Sequence, residues 1–129
     1  MESRIKDAVE LKKSCNCAQA VACTYCDLVG IDRDTMMRLT SGFGLGMGNM
    51  EGTCGAITGA GVVIGGVIAD RNESRAAMAR LLDKFQQRNG ATICKQLKGR
   101  ETGRILRACP DCVADASEFL EEILAEEQE

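Results

Sequence analysis

The sequence predicts an all-α fold, a compact bundle of about five or six helices around a central helix lined with glycine. Three observations lead there. Apolar residues recur at helical spacing through nearly the whole chain, and no stretch keeps the period-two alternation of a half-buried strand. Glycines stand just past the ends of several periodic runs, at positions 30, 90 and 99, where a left-handed residue closes a helix. The chain has 129 residues, enough for one hydrophobic core and a single domain spanning 1–129.

In chain order, residues 3–29 read as one or two helices. Ile5, Ala8, Val9 and Leu11 share a face, and Ala18, Val21, Ala22, Tyr25, Leu28 and Val29 continue it to Gly30. Asp32 caps a short helix through Met36, Met37 and Leu39, since its carboxylate can accept from the free N–H groups of the first turn. Residues 41–52 hold five glycines and no apolar period, and read as a loop. Thr53 then serves as N-cap, with Cys54 at the first helical position of a run ending at Ala69. Gly55 and Gly59, then Gly61 and Gly65, are four apart and let another backbone approach closely, which makes this helix central. Residues 52–69 carry no charge, but their glycines make them too weakly hydrophobic for a membrane span, so a buried helix is expected. The next helix starts at Asn72 or Ser74, faces the core with Ala77, Leu81, Leu82 and Phe85, and ends at Gly90. A short helix from Ile93 to Lys98 stops at Gly99. Pro110 at a first helical position opens the last amphipathic helix through Val113, Ala116, Phe119, Leu120 and Ile123, whose acidic tail frays.

Composition removes several chemistries. With no histidine, the chain has no Ser-His-Asp or Cys-His machinery and no histidine-held zinc or haem. A net charge of -3 argues against a nucleic-acid partner. The charge is uneven: residues 71–107 hold 10 basic and 3 acidic side chains, and residues 108–129 hold 8 acidic and no basic ones. Two solvated helix faces that attract each other account for this, with a basic docking surface for an acidic partner as the alternative. The Gly-Phe-Gly-Leu-Gly-Met-Gly run at 42–48 has glycine at every second position, which matches neither dinucleotide nor phosphate-loop spacing.

Sulfur remains. The N-terminal residues lack the apolar core of a secretory signal, so a cytoplasmic chain is expected. In that reducing compartment the eight cysteines, at 15, 17, 23, 26, 54, 94, 109 and 112, point to metal binding or redox work more than to a disulfide framework. Cys54, at a helix start, meets unpaired N–H groups and the positive end of the helix dipole, which favour a thiolate. Cys109-Pro-Asp-Cys112 places two thiols at another helix start, the arrangement by which one thiol is activated and a resolving thiol kept within reach. Cys54, Cys109 and Cys112 are therefore the candidate catalytic thiols. Cys23 and Cys26 lie mid-helix, without help from the dipole, and read as core or a peripheral second site.

The segments Asn16-Cys-Ala-Gln-Ala-Val21, Arg38 to Ala60, Cys94-Lys-Gln-Leu-Lys-Gly99 and Cys109 to Leu124 together resemble the C_GCAxxG_C_C family of redox-active proteins, defined by four cysteines and a CGAxxG motif. The resemblance covers most of the chain. It implies that the family's cysteines are Cys17, Cys54, Cys94 and Cys109, and leaves Cys15, Cys23, Cys26 and Cys112 outside the pattern. The chain is also distantly similar to the iron-sulfur domain of split-Soret cytochromes, which implies that the four cysteines bind a cluster; a haem-attachment CxxCH is absent.

Two mechanisms use the same sulfurs. Either paired thiols exchange with a disulfide substrate, or Cys17, Cys54, Cys94 and Cys109 form a four-thiolate shell for an iron-sulfur cluster, making the chain an oxidoreductase or an electron carrier. Zinc takes the same four ligands. The competing class is a structural or partner-binding helical protein, with a four-cysteine zinc site or none and no catalysis. A redox partner protein of unknown identity and a homodimer are expected, the latter because the glycine-lined helix offers a packing surface that one short chain covers incompletely.

Overall fold

The computed structural model describes residues 1–127, and among these the regular elements are all helices, nine α-helices in place of the expected five or six. The number rises because the N-terminal segment breaks twice. Residues 3–29 form three helices, α1 (Ile5–Leu11), α2 (Cys17–Thr24) and α3 (Cys26–Val29). The Asn16 side chain accepts from the Gln19 N–H at 2.8 Å and the Asn16 N–H donates to Gln19 Oε1 at 3.0 Å, a reciprocal cap that restarts the chain as α2. Gly30 closes α3 with φ of 81°, and Asp32 caps α4 (Arg33–Leu39) by accepting from Thr35, both as expected.

The glycine-rich segment is more structured than a loop. A 3-10 turn at Ser41–Phe43 leads into α5 (Gly44–Met47), a single kinked turn in which Leu45 and Gly46 are left-handed. Next comes α6 (Gly55–Val67), one residue later than expected: Cys54 itself is the cap, because Thr53 is held in an isolated bridge to Ile93. The following helix, α7 (Arg71–Asn89), also starts elsewhere, on Asp70, whose carboxylate accepts from the Glu73 N–H. After Gly90 comes α8 (Cys94–Leu97), and then α9 (Cys109–Glu127), which begins at Cys109 with Pro110 as its second residue. Helix persists in the acidic tail as far as Glu127; the final two residues of that tail lie outside the described part.

Helix α6 packs against α2, α3, α7 and α9. Its glycines differ in use. A Cβ at Gly59 would stand 2.5 Å from the Ala18 carbonyl oxygen and one at Gly55 2.9 Å from that of Phe43, so the α2 face of α6 tolerates no side chain there. Gly65 faces open space. On the other side, α9 buries Val113, Ala116, Phe119, Leu120 and Ile123, and α7 buries Ala77, Leu81 and Phe85, while Leu82 turns outward at 37% exposure.

The uneven charge is spent between α7 and α9. Lys84 pairs with Glu122 at 2.8 Å, Arg88 with Glu118 at 2.8 Å and Arg80 with Glu127 at 2.7 Å. Buried Asp115 accepts from Arg88, Arg107 and Asn89. Burial pushes its carboxyl up, and those three donors outweigh burial and bring it below the usual range. Among the described residues no helix is long and apolar enough to cross a membrane.

Candidate functional site

Each cysteine of the predicted set of four opens a helix. Cys17 is the first residue of α2, Cys54 caps α6, Cys94 begins α8 and Cys109 begins α9. All four line one cavity of 160 Å³, shared with Lys12, Lys98, Leu45 and Gly46. A larger groove of 580 Å³, bounded by Gly90, Lys95, Glu101 and Arg104, has no cysteine on its wall.

Local sequence explains the convergence. The 50–54 and 92–95 segments are laced by backbone hydrogen bonds: Cys54 N–H donates to Thr92 at 2.8 Å, Cys94 N–H to Gly52 at 3.0 Å and Lys95 N–H to Met50 at 2.9 Å. This lacing holds Cys54 beside Cys94. In the Cys54-Gly55-Ala56-Ile57-Thr58-Gly59 run, Gly55 and Gly59 both lie against the first turn of α2, and Ala56 is fully buried. The spacing therefore sets the cap of α6 against Cys17. Gly46 lies flat on Cys94, where any Cβ would collide with the cysteine's own. Around it Leu45, Met47 and Met50 all take positive φ (53°, 66° and 66°), a strained backbone that brings the exposed Leu45 side chain to the cavity rim.

The thiols shift one another's titration in two pairs, Cys17 with Cys109 and Cys54 with Cys112. In each pair one thiol is held down and the other pushed up. For Cys109, the hydrogen bond from Cys17 comes first and the Lys98 ammonium adds to it, outweighing burial. For Cys54, the hydrogen bond from Cys112 leads, and the N–H groups of Ala56 and Ile57 with Lys98 assist. Cys17 and Cys112 are raised by their interaction with Cys109 and Cys54, and burial raises them further. Burial also raises Cys94. Cys109 is the half-buried member of the five; the others are buried.

Lys98 stands among these sulfurs. Its Nζ donates to Cys112 Sγ at 3.5 Å and to the Arg107 carbonyl at 3.3 Å. The sequence reading passed over it, although Cys94-Lys-Gln-Leu-Lys98 puts it one helical turn past a candidate cysteine and hence on the same side of α8. Lys12 was passed over too, and no spacing marks it. The remaining cysteines lie elsewhere. Cys15 Sγ donates to the Leu11 carbonyl at 3.3 Å, Cys23 Sγ lies 3.9 Å from the Arg33 carbonyl, and Cys26 begins α3 half-buried.

A family model described as "Putative redox-active protein (C_GCAxxG_C_C)" matches residues 15–123. The chain belongs to this family. The C_GCAxxG_C_C label writes its central motif with glycine before cysteine, whereas here Cys54 precedes Gly55. No curated protein and no solved structure matches the chain.

A four-thiolate donor set suits an iron-sulfur cluster or zinc by its chemistry. Position is another matter. Among the described residues no three Cys, Asp or Glu side chains are grouped closely enough to hold one ion, and the Lys98 ammonium stands among the sulfurs. Zinc needs its ligands around one ion, whereas a cluster spreads its cysteines over several irons, and the donors that would hold it are the four on the cavity wall.

Proposed function

We propose that this protein is a thiol-disulfide oxidoreductase or redox carrier that works through the Cys17–Cys109 pair, with Cys54 and Cys112 as a second, buried dithiol. The observation that carries this reading is the shared cavity, on whose wall the half-buried Cys109 and the buried Cys17 stand together with Lys98. The thiolate is the nucleophile of disulfide exchange.

The steps balance with these residues. Cys109 Sγ attacks one sulfur of a substrate disulfide, the S–S bond breaks, and the first half leaves as a thiolate. Cys17 then attacks Cys109 Sγ in the mixed disulfide and expels the second half, its proton going to a departing sulfur. The chain ends oxidised by two electrons as Cys17–Cys109 and the substrate ends as two thiols. An external dithiol, on a partner protein or a small molecule, resets it. Lys98 keeps the Cys109 sulfur charged and follows the charge as it moves.

A four-cysteine cluster or zinc centre is the second reading, favoured by the lining of one cavity by Cys17, Cys54, Cys94 and Cys109. Anaerobic purification followed by iron, acid-labile sulfide and zinc assays and thiol titration separates the two. The dithiol reading expects a metal-free chain whose Cys109 reacts fastest. Stoichiometric iron with sulfide, or stoichiometric zinc, would replace it with the cluster or zinc centre, and eight equally slow thiols would leave a structural or partner-binding protein.

A further inference from the structure

Two lysines face the thiol cavity, and neither has a carboxylate partner. Lys12 reaches it from the end of α1 and Lys98 from the end of α8. Among the described residues no ion pair involves either one, although Lys13 next door pairs with Glu10 and Lys95 pairs with Glu51 and Glu101. No acidic side chain lines the cavity; its remaining wall is cysteine, glycine, Asn16 and Leu45. Lys98 is half-buried, so its ammonium is less screened than a surface charge.

This arrangement is more cationic than the thiols need. One ammonium already stands among the sulfurs, and a second unpaired one on the cavity wall leaves a positive opening around a negative nucleophile. Two thiolates repel each other, so an anionic substrate would ordinarily be disfavoured at Cys109. Two cations on the wall reverse that sign.

We propose that the cavity is a binding site for a small anionic sulfur substrate, a carboxylate- or sulfonate-bearing low-molecular-weight disulfide, with Lys12 and Lys98 as the counter-charges that bring it to Cys109. The inference rests on the thiol reading above and adds the substrate's charge class. The volume of 160 Å³ suits the acidic end and the sulfur pair of such a molecule, not a folded polypeptide. The redox step is unchanged: Cys109 attacks, the S–S bond breaks, and the anionic half leaves as a thiolate while still held by the lysines.

The test compares two alkylating reagents of nearly equal size, anionic iodoacetate and neutral iodoacetamide. Both form a C–S bond at Cys109 and release iodide. Their rate ratio at a fixed pH cancels the nucleophile's own reactivity and reports charge selection alone. The ratio at the Cys109 peptide, followed by mass spectrometry, is expected to exceed that of the urea-unfolded chain by about tenfold and to fall with added salt. Lys12→Gln and Lys98→Gln each lower it by about fivefold, and Lys98→Arg restores it. Among the described residues the Lys12 side chain makes no hydrogen bond, and its backbone N–H bond to Ala8 survives substitution, so Lys12→Gln keeps the test open should the Lys98 variant fail to fold. Fast reaction with iodoacetamide and a ratio equal to that of the unfolded chain would overturn the substrate class alone. Slow reaction with both reagents would overturn the thiol reading and this proposal together.

Discussion

The cysteines divide into two regions that share a side chain and differ in surroundings. Around the cavity, Cys17, Cys54, Cys94 and Cys109 open helices, Cys112 backs Cys54, and Lys12 and Lys98 supply positive charge. Along the α1–α3 flank, Cys15 and Cys23 lie against carbonyl oxygens, and burial outweighs the Lys12 and Arg33 charges that act on Cys15 and the Arg33 charge that acts on Cys23. Burial leads the upward push on Cys15, and it takes Cys23 to about 11, with Cys26 and Cys15 adding to the Cys23 shift. The lesson is that a thiol's chemistry follows the charges and N–H groups that meet it, and burial alone makes it inert.

The sharpest way to break the contrast is to remove one thiol from each region. Cys109→Ser abolishes disulfide exchange and the fast-reacting thiol, whereas Cys26→Ser leaves both in place; thiol titration with peptide mapping checks the pair. Removing the cation comes next. Lys98→Gln leaves Cys109 with about a tenfold smaller thiolate fraction below its titration and moves its alkylation profile to higher pH. The same variant leaves the Cys23 profile where it was, because Lys98 is not among the charges acting on Cys23.

A packing change tests whether the cavity depends on the seam that carries it. Gly59→Ala drives a methyl group into the Ala18 carbonyl and destabilises the fold by about 1–3 kcal/mol, as overpacking against a fixed backbone does. Gly65→Ala meets nothing and gains up to about 1 kcal/mol from helix propensity. Denaturant midpoints compare the two.

The smallest effect is the pH dependence of stability. Cys109 and Cys54 titrate lower in the folded chain than unfolded. Between those pH values the unfolded chain binds more protons, and stability rises with pH. Their partners Cys17 and Cys112 titrate higher when folded, so above the ordinary thiol value of 9.0 the folded chain keeps protons the unfolded chain loses, and stability falls again. Denaturation midpoints against pH under reducing conditions are expected to show this dome, flatter in Cys109→Ser.

Much of the fold was legible because its stops are chemical: Gly30, Gly90 and Gly99 each take positive φ at a helix end, and Asp32 caps α4. The break at Asn16 was also written in the sequence, as Asn-x-x-Gln, and was overlooked because the apolar face runs on through it. The cap of α6 shifted from Thr53 to Cys54 for a reason no local spacing carries, the bridge from Thr53 to Ile93 some forty residues away. The same kind of long-range contact hid the pairing of the thiols. Cys109-x-x-Cys112 suggests a local dithiol, and the influence of Cys17 and Cys54 on those two thiols comes from segments far away in the chain, which no local spacing carries.

The most direct test is to oxidise the metal-free chain with a small disulfide, one equivalent at a time, and to map the first intramolecular disulfide by mass spectrometry. The first bond is predicted to join Cys17 to Cys109, with Cys15, Cys23 and Cys26 still reduced. A first bond within that flank, or an as-purified chain whose Cys17, Cys54, Cys94 and Cys109 are all protected by stoichiometric iron and sulfide, would contradict it.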